Sequence, residues 1–213
     1  MIVKVCGMRE PENIRAVERV GADWMGFILW SRSPRRLELV PDYLPSCRRV
    51  GVFVNPDDEE LLRWHEALGL DFIQLHGDET AERCRHIHDL LGLPVIKAVS
   101  VSGPGDLDRA ERFHSADGVA YLLFDTKSPV RGGSGHQFDW DVLRLYRGEL
   151  PFLLSGGIGR DDARHVCSFR HPRFAGVDVN SRFETAPGLK DLESLESFIH
   201  HIRRYEQNQQ DIC

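Results

Sequence analysis

Short apolar runs alternate along the chain with segments in which apolar residues recur every three or four positions. The runs have the length and composition of β-strands, and the periodic segments are typical of amphipathic helices. The predicted strands are 2–6, 23–29, 48–54, 71–76, 94–99, 120–125, 151–156 and 176–180. The predicted helices include 11–21, 57–69, 78–92, 106–114 and 139–146. Several of these helices begin at Asp and end at Gly, which are common capping residues.

Eight strand and helix units in 213 residues predict a single-domain α/β fold, the (β/α)8 or TIM barrel. A doubly wound open sheet is the competing architecture. Its nucleotide-binding signatures, GxGxxG and GxxxxGK[ST], are absent, since "GPGDLD" carries Asp108 in place of the third glycine. We therefore expect a barrel over residues 1–204 and a disordered C-terminal tail over 205–213.

The composition argues against a membrane or a nucleic acid as the partner of this chain. No run approaches the ~18 apolar residues of a membrane helix, and the N-terminus does not resemble a secretory signal, so a cytoplasmic location is expected. The net charge of −6 gives no general attraction to nucleic acid or anionic lipid. Any phosphate site must therefore be local.

The cysteines favour reduced thiols, because they are five in number and irregularly spaced. Cys84, His86 and His88 come close to a metal-ligand pattern. On a helix, however, His86 faces away from the other two, so a solvated helix surface is favoured and no metal site is predicted.

The carboxyl ends of the strands in a parallel barrel emerge on one face, and that face carries the site. Polar or small residues occupy most of the predicted ends. They are Cys6, Gly7, Asn55, His76, Gly77, Asp125, Ser155, Gly156, Gly157 and Asp178. We therefore expect these residues to surround one opening.

Lys4 and Cys6 lie two positions apart in the first strand, so both side chains point the same way. An ammonium group beside a thiol favours the thiolate, so the pKa of Cys6 is expected to be lowered and the thiolate to accept a proton. Two plainer interpretations remain open. Cys6 is a small buried residue, or Lys4 is packed inside the barrel and paired with a carboxylate.

Asp125 closes an almost wholly apolar strand, where desolvation is expected to raise its pKa and suit it to general acid catalysis. The alternative is a helix cap or an ion pair with Lys127. The segment that follows, "TKSPVRGGSGHQ" (126–137), contains three glycines and no regular pattern. It predicts a mobile lid.

Two segments predict a phosphate site. Gly156 and Gly157 follow the seventh strand, and Asn180 and Ser181 follow the eighth, next to Asp178. Unhindered backbone N–H groups after strands seven and eight bind phosphate in many barrels. Together the segments predict a phosphorylated ligand.

The chain resembles the phosphoribosylanthranilate isomerase family of tryptophan biosynthesis over nearly its whole length. The most specific motifs are "KVCGM" (4–8) and "DTKSPVRGGSGHQFDW" (125–140). The other matching segments are "GADWMGFIL" (21–29), "SPRRL" (33–37), "VGVFVN" (50–55), "IQLHGDE" (73–79), "VIKAV" (95–99), "LLSGGI" (153–158) and "GVDVNSRFETAPGLKD" (176–191).

The resemblance implies an aldose–ketose isomerase that needs no cofactor and acts on a small phosphorylated molecule. Its reaction is an Amadori rearrangement, in which Asp125 is the general acid and Cys6 the base. Arg35 is implied to bind the anthranilate carboxylate. Lys4 and His76, at the predicted opening, are further candidate substrate contacts. Related isomerases occur as monomers and dimers, so the chain is expected to be a monomer or a homodimer.

One segment departs from the family. The usual Ser-Ser-Gly-Val-Glu after the eighth strand is replaced here by residues 180–184, "NSRFE". The loss of the small Ser and Gly predicts a changed backbone at the phosphate, with Arg182 as an additional contact.

Two other functions remain open on the sequence. Lys97 or Lys127 is a candidate for Schiff-base chemistry, because a strand lysine with a lowered pKa forms imines. A phosphate-binding barrel without catalysis is the second alternative, although it leaves an acid and a base at the strand ends unexplained.

Overall fold

The structure is a computed structural model, and it describes residues 1–126 and 140–210. Eight parallel strands form a closed barrel. They are β1 (Ile2–Cys6), β2 (Trp24–Ile28), β3 (Arg48–Phe53), β4 (Phe72–Leu75), β5 (Val95–Val101), β6 (Val119–Thr126), β7 (Phe152–Ser155) and β8 (Phe174–Val179). Each strand pairs with the next one along the chain, and β8 pairs with β1. The predicted (β/α)8 barrel is confirmed.

Helices cover the outside of the barrel. They are α1 (Pro11–Val20), α2 (Asp58–Leu68), α3 (Ala81–Leu91), α4 (Leu107–Ala110), α5 (Ala163–Ser168) and α6 (Leu192–Gln210). The prediction of a helix over 139–146 was wrong in type, since Trp140–Leu145 is a 3-10 helix. A two-stranded ribbon, β9 (Glu184–Ala186) and β10 (Leu189–Lys190), lies between β8 and α6.

Local chemistry sets the ends of the helices. The Asp57 carboxylate accepts a hydrogen bond from the Glu60 N–H at the start of α2, and Thr80 caps α3 in the same way. Helix α3 therefore begins after Thr80, three residues later than predicted. Gly69 and Gly92 end α2 and α3 in the left-handed conformation that terminates helices.

Strand alternation divides the core in two. Val3 and Val5 point outward to the helices, whereas Ile2, Lys4 and Cys6 point into the barrel. Toward the amino ends of the strands, the interior is filled by three aromatic rings. They belong to Trp24, Phe72 and Tyr121, with ring centroids 4.6 to 6.2 Å apart. The polar opening lies toward the other end.

The predicted C-terminal tail over 205–213 was wrong through residue 210, because α6 continues to Gln210. Two contacts hold this last stretch. Arg170 donates to the Tyr205 hydroxyl and lies over its ring. Glu206 accepts hydrogen bonds from the amino terminus and from Arg203. Residues 211–213 lie outside the described part of the chain.

The predicted lid over 126–137 lies outside the described residues, apart from Thr126 at the end of β6. Within residues 1–126 and 140–210, no helix combines the length and apolarity needed to span a bilayer.

Candidate active site

A cavity of about 340 Å³ opens at the carboxyl ends of the barrel strands. It receives side chains from seven strands and residues from the loops that follow them. Its lining residues are Cys6, Ile28, Val52, Gln74, His76, Asp125, Ser155, Gly156, Gly157, Ile158, Asp178, Asn180 and Ser181. The cavity therefore brings together Cys6 and Asp125, the two groups that the sequence predicts as base and acid.

Cys6 lies in a buried cluster of charged groups. Its side chain ends β1 beside Lys4, whose Nζ donates to Asp178 Oδ1 at 2.7 Å. Lys4 faces Asp178 because β1 and β8 pair in that register where the barrel closes. The Ser155 hydroxyl donates to the other Asp178 oxygen at 3.4 Å. The thiol thus sits above a cation that already has an anionic partner.

A glycine on the neighbouring strand makes room for this cluster. Gly26 pairs with Cys6 across β1 and β2. A Cβ atom at position 26 would lie 2.8 Å from Cys6 Sγ and 3.0 Å from Lys4 Nζ. Even alanine would therefore push the thiol and the ammonium group out of place.

The expectation of a lowered Cys6 pKa was wrong. Burial raises the pKa of the Cys6 thiol, and the Asp178 carboxylate raises it further, while Lys4 and Lys190 oppose the shift. Burial lowers the pKa of Lys4, but Asp178 and Cys6 more than compensate and raise it. The charge of Lys4 is shared with Asp178, so it does not ionise the thiol by itself.

The structure corrects two predicted roles. The Lys4 side chain is fully buried and does not line the cavity, so it lies behind Cys6 and does not contact a ligand there. Asp178 was predicted as part of the phosphate site. Its carboxylate accepts from Lys4 and Ser155, and a negative group does not attract phosphate, so its side chain belongs to the Lys4 cluster.

His76 lies against Asp125 on the opposite side of the cavity. His76 Nε2 is 3.4 Å from Asp125 Oδ2, and Gln74 Nε2 is 3.3 Å from His76 Nδ1. Glu79 anchors the loop after β4 by accepting from the N–H groups of Gly77 and Asn55. The sequence placed His76 at this opening correctly, and its role as a substrate contact stays a prediction.

The loop after β7 carries two consecutive glycines in the left-handed conformation, with φ of 97° at Gly156 and 67° at Gly157. Side chains rarely adopt this backbone, so glycine is required in both places. After β8, Ser181–Phe183 forms a short 3-10 helix. Gly156, Gly157, Asn180 and Ser181 all line the cavity. Backbone N–H groups in such loops can bind an anion.

Arg35 lies at the rim beside Gly7. A Cβ atom on Gly7 would lie 3.1 Å from Arg35 Cδ. The Arg35 Nε–H donates to both oxygens of Glu184, at 2.8 and 3.0 Å. Lys190 Nζ donates to the same Glu184 at 2.7 Å and to Asn180 Oδ1 at 2.8 Å. Glu184 therefore holds two cations at this side of the opening.

Lys97 does not serve Schiff-base chemistry in the cavity. It points outward from β5, and its Nζ donates to Glu79 and to the carbonyls of Leu75, Gly77 and Ala98. These four acceptors hold the Nζ group away from the cavity, which Lys97 does not line. Lys127, the other candidate, lies outside the described residues.

The Cys84, His86 and His88 group does not converge. Cys84 is buried in the outer core, His86 bonds to Asp58 and His88 bonds to the Leu93 carbonyl. Among residues 1–126 and 140–210, no group of three or more His, Cys, Asp or Glu residues could hold a metal ion.

Gln74 and the Glu184–Lys190 pair were not predicted from the sequence as parts of the site. Gln74 lines the cavity and lies two residues before His76, so strand alternation places both on the inner face. The two-residue alternation of the strand was therefore the sequence signal that could have identified Gln74. Lys190 had no comparable signal, because its position depends on the β9–β10 ribbon.

The closed parallel barrel and its polar cavity define a (β/α)8-barrel enzyme. Residues 3–201 match the family model of N-(5′-phosphoribosyl)anthranilate isomerase. An isomerase of this name from Phocaeicola vulgatus is 49% identical over 96% of this chain and 98% of its own length. The chain therefore belongs to the N-(5′-phosphoribosyl)anthranilate isomerase family, as its motifs predicted.

Solved structures of the family have the same fold. The crystal structure of the enzyme from Thermotoga maritima superimposes with a TM-score of 0.79, at 35% identity, over 96% of this chain and 100% of that one. A second family structure contains reduced 1-(o-carboxyphenylamino)-1-deoxyribulose 5-phosphate. It matches with a TM-score of 0.77, at 33% identity, over 96% of this chain and all of the other.

Proposed function

We propose that this chain converts N-(5-phosphoribosyl)anthranilate into 1-(2-carboxyphenylamino)-1-deoxyribulose 5-phosphate, with Asp125 as general acid and Cys6 as base. The observation that carries the assignment is the shared cavity, which Cys6 enters from β1 and Asp125 from β6. The reaction is an internal redox rearrangement. Carbon 1′ is reduced and carbon 2′ is oxidised, so no external electron acceptor is needed.

Asp125 acts in the first step. Its carboxyl group donates a proton to the ring oxygen while the anthranilate nitrogen lone pair expels that oxygen from C1′. The products of this step are an open-chain hydroxyl group and a protonated Schiff base. The nearby His76 Nε2–H, 3.4 Å from Asp125 Oδ2, supports the carboxylate that remains.

Cys6 acts in the second step. The thiolate removes the proton from C2′, and the electron pair moves through C1′ to the nitrogen, which gives an enolamine. Tautomerisation of the enolamine to the ketone adds a proton at C1′ and completes the reaction. Lys4 lies directly behind the sulfur, so its positive charge stabilises the thiolate that the step requires.

Binding groups surround the reacting carbons. The N–H groups of the loop at Gly156 and Gly157 and those at Asn180 and Ser181 suit the phosphate. Arg35 suits the anthranilate carboxylate, because a guanidinium group donates two parallel hydrogen bonds. The chain binds a free phosphorylated small molecule as its partner. It acts in the cytoplasm as a monomer or a homodimer. The net charge of −6 gives nucleic acid no general attraction.

A fluorescence assay tests the proposal. N-(5-Phosphoribosyl)anthranilate is generated in situ, because it is labile, and its fluorescence is followed after addition of the purified chain. The expected result is an enzyme-dependent decay with formation of the ribulose product, identified by mass spectrometry. Persistent fluorescence with measurable binding of the reduced product analogue would contradict the proposal and favour a binding protein.

A further inference from the structure

Gln74 is a buried polar residue that the proposed chemistry leaves without a role. Its side chain points inward from β4 and is only 1% exposed. Its amide nitrogen donates to His76 Nδ1 at 3.3 Å. Its amide oxygen lacks a hydrogen-bond partner among the described residues, although Gln74 lines the cavity. Buried amide oxygens are nearly always paired, so an unpaired one on a side chain that lines a cavity points to a ligand.

The amide nitrogen fixes the proton on His76. Neutral imidazole has one N–H and one acceptor nitrogen. Because Gln74 Nε2 can only donate, Nδ1 must be the acceptor, and the ring proton must lie on Nε2. That proton is directed at Asp125 Oδ2, 3.4 Å away. Gln74 thus selects the tautomer that donates to the proposed general acid.

The amide oxygen is left as a fully buried, unpaired acceptor on a side chain that lines the cavity. Gln74 lies on β4 one inward position before His76, which directly follows the strand, and it is more deeply buried than the imidazole. A negatively charged phosphate or carboxylate offers no donor to this oxygen. The hydroxyl groups of a sugar do.

We propose that Gln74 has two functions in this site: it positions His76 for donation to Asp125, and its Oε1 accepts a hydrogen bond from a sugar hydroxyl of the substrate. The inference rests on the proposed function for the identity of the substrate. The tautomer of His76 is independent of that identity. It can therefore be tested even if the reaction is different.

Two substitutions separate the functions. Gln74→Glu keeps an acceptor oxygen but replaces the donor with a second acceptor, so His76 must carry a proton on Nδ1. Gln74→Met keeps the length of the side chain and removes both donor and acceptor. Ile73→Val is the matched control, because Ile73 is the adjacent β4 residue and packs outward in the helix-facing core. It perturbs the strand without reaching the cavity.

Nitrogen-15 NMR of the imidazole tests the positioning function. In the wild-type chain, the expected signal of His76 is that of a ring protonated at Nε2 and unprotonated at Nδ1. Gln74→Glu should protonate Nδ1, and Ile73→Val should leave the wild-type tautomer unchanged. A wild-type His76 protonated at Nδ1, or a tautomer that is the same in Gln74→Glu, would overturn this function.

Steady-state kinetics test the hydroxyl contact. Gln74→Met should raise KM about tenfold and lower kcat, as expected for the loss of a buried hydrogen bond and of the His76 orientation. Gln74→Glu should lower kcat with KM within about threefold of wild type, since the acceptor remains. Ile73→Val should keep both constants and lower only the melting temperature.

The outcomes distinguish this inference from the proposed function. A wild-type chain that fails to turn over the substrate refutes the function and leaves the tautomer experiment valid. An active wild type with Gln74→Met constants within twofold refutes the hydroxyl contact. A lower melting temperature with unchanged kinetics and tautomer would show that Gln74 is only structural, and would also overturn the inference.

Discussion

Lys4 and Lys97 are both buried lysines on barrel strands, and each is paired with one carboxylate. Lys4 Nζ lies 2.7 Å from Asp178 Oδ1, and Lys97 Nζ lies 3.1 Å from Glu79 Oε2. The two pairs differ in what surrounds the ammonium group. Lys97 also donates to three backbone carbonyls, whereas Lys4 lies against the Cys6 thiol.

The surroundings give the pairs different functions. Glu79 accepts from the N–H groups of Asn55 and Gly77, so the Lys97–Glu79 pair fixes the loop that carries His76. The Lys4–Asp178 pair lies inside the barrel and acts on the proton affinity of Cys6. A buried ion pair therefore shapes backbone on the outer side of the strands and tunes chemistry on the inner side.

The largest expected effect is on stability. Lys97→Met leaves Glu79 buried without its cation, which should lower the free energy of unfolding by about 3–5 kcal/mol. The double variant Lys97→Met/Glu79→Gln should recover part of this loss, because no charge is left unpaired. Urea denaturation measures both. A loss below about 1 kcal/mol in the single variant would show that the Lys97 pair does not hold the loop.

Asp178→Asn should make Cys6 more reactive. Removal of this anion takes away a charge that raises the pKa of Cys6 and leaves the charge of Lys4 to act on the thiol. A fall of one pKa unit increases the thiolate fraction about tenfold. Iodoacetamide labelling at pH 7, with Cys6 identified by peptide mass spectrometry, measures the rate. Glu79→Gln is the control, and equal rates in wild type and Asp178→Asn would remove the electrostatic distinction between the pairs.

The raised pKa of Cys6 predicts a pH profile. The base works as thiolate, so kcat/KM should rise with pH and should still be rising at 9.0, the ordinary thiol value. Activity assays from pH 6 to 9.5 check this limb. A plateau already reached at pH 7 would mean that Lys4 dominates and that the pKa of Cys6 is lowered after all.

The Cys6 thiol also makes the free energy of unfolding depend on pH, and the direction of this dependence follows from its raised pKa. Because its pKa is raised by folding, the folded state holds the thiol proton more tightly than the unfolded chain does. This contribution is complete below pH 9.0 and is lost as the pH rises through the folded value. The stability of wild type relative to Cys6→Ala should therefore decline at alkaline pH, as urea denaturation at pH 7 and pH 10 will measure.

The smallest effect is expected at an exposed pair. Arg144 Nε lies 2.6 Å from Asp141 Oδ1, closer than either buried pair, but both side chains are more than half exposed. Arg144→Ala should change the free energy of unfolding by less than about 1 kcal/mol, because water screens the charges. A loss of unfolding free energy comparable with that in Lys97→Met would show that burial does not determine how much these ion pairs stabilise the fold.

Much of the fold and the opening was predictable because both follow from local pattern. Strand alternation and the common direction of parallel strands place Cys6, His76 and Asp125 around one cavity without any knowledge of distant contacts. The same period includes Gln74. It was missed because an inward Gln in an apolar strand carries no motif of its own.

Other features depend on partners far away in the chain. The sign of the Cys6 pKa shift was not accessible from "KVCG", because burial of the thiol in the closed barrel raises the pKa first and Asp178 adds to the rise. Asp178 reaches this cluster from 174 residues after Lys4, through the register in which the barrel closes. The polar sequence after residue 204 predicted disorder. The contact of Tyr205 with Arg170, which helps to hold α6 in place, joins positions 35 residues apart and could not be predicted from the local sequence.

Single-turnover decay of N-(5-phosphoribosyl)anthranilate fluorescence, with enzyme in excess, tests most directly whether Cys6 and Asp125 are the base and acid of one cavity. Cys6→Ala and Asp125→Asn should each slow the decay by about 10²–10⁴-fold. Both variants should keep a native circular dichroism spectrum and bind the reduced product analogue with a Kd within about threefold of wild type. Decay of Cys6→Ala at the wild-type rate would contradict the account.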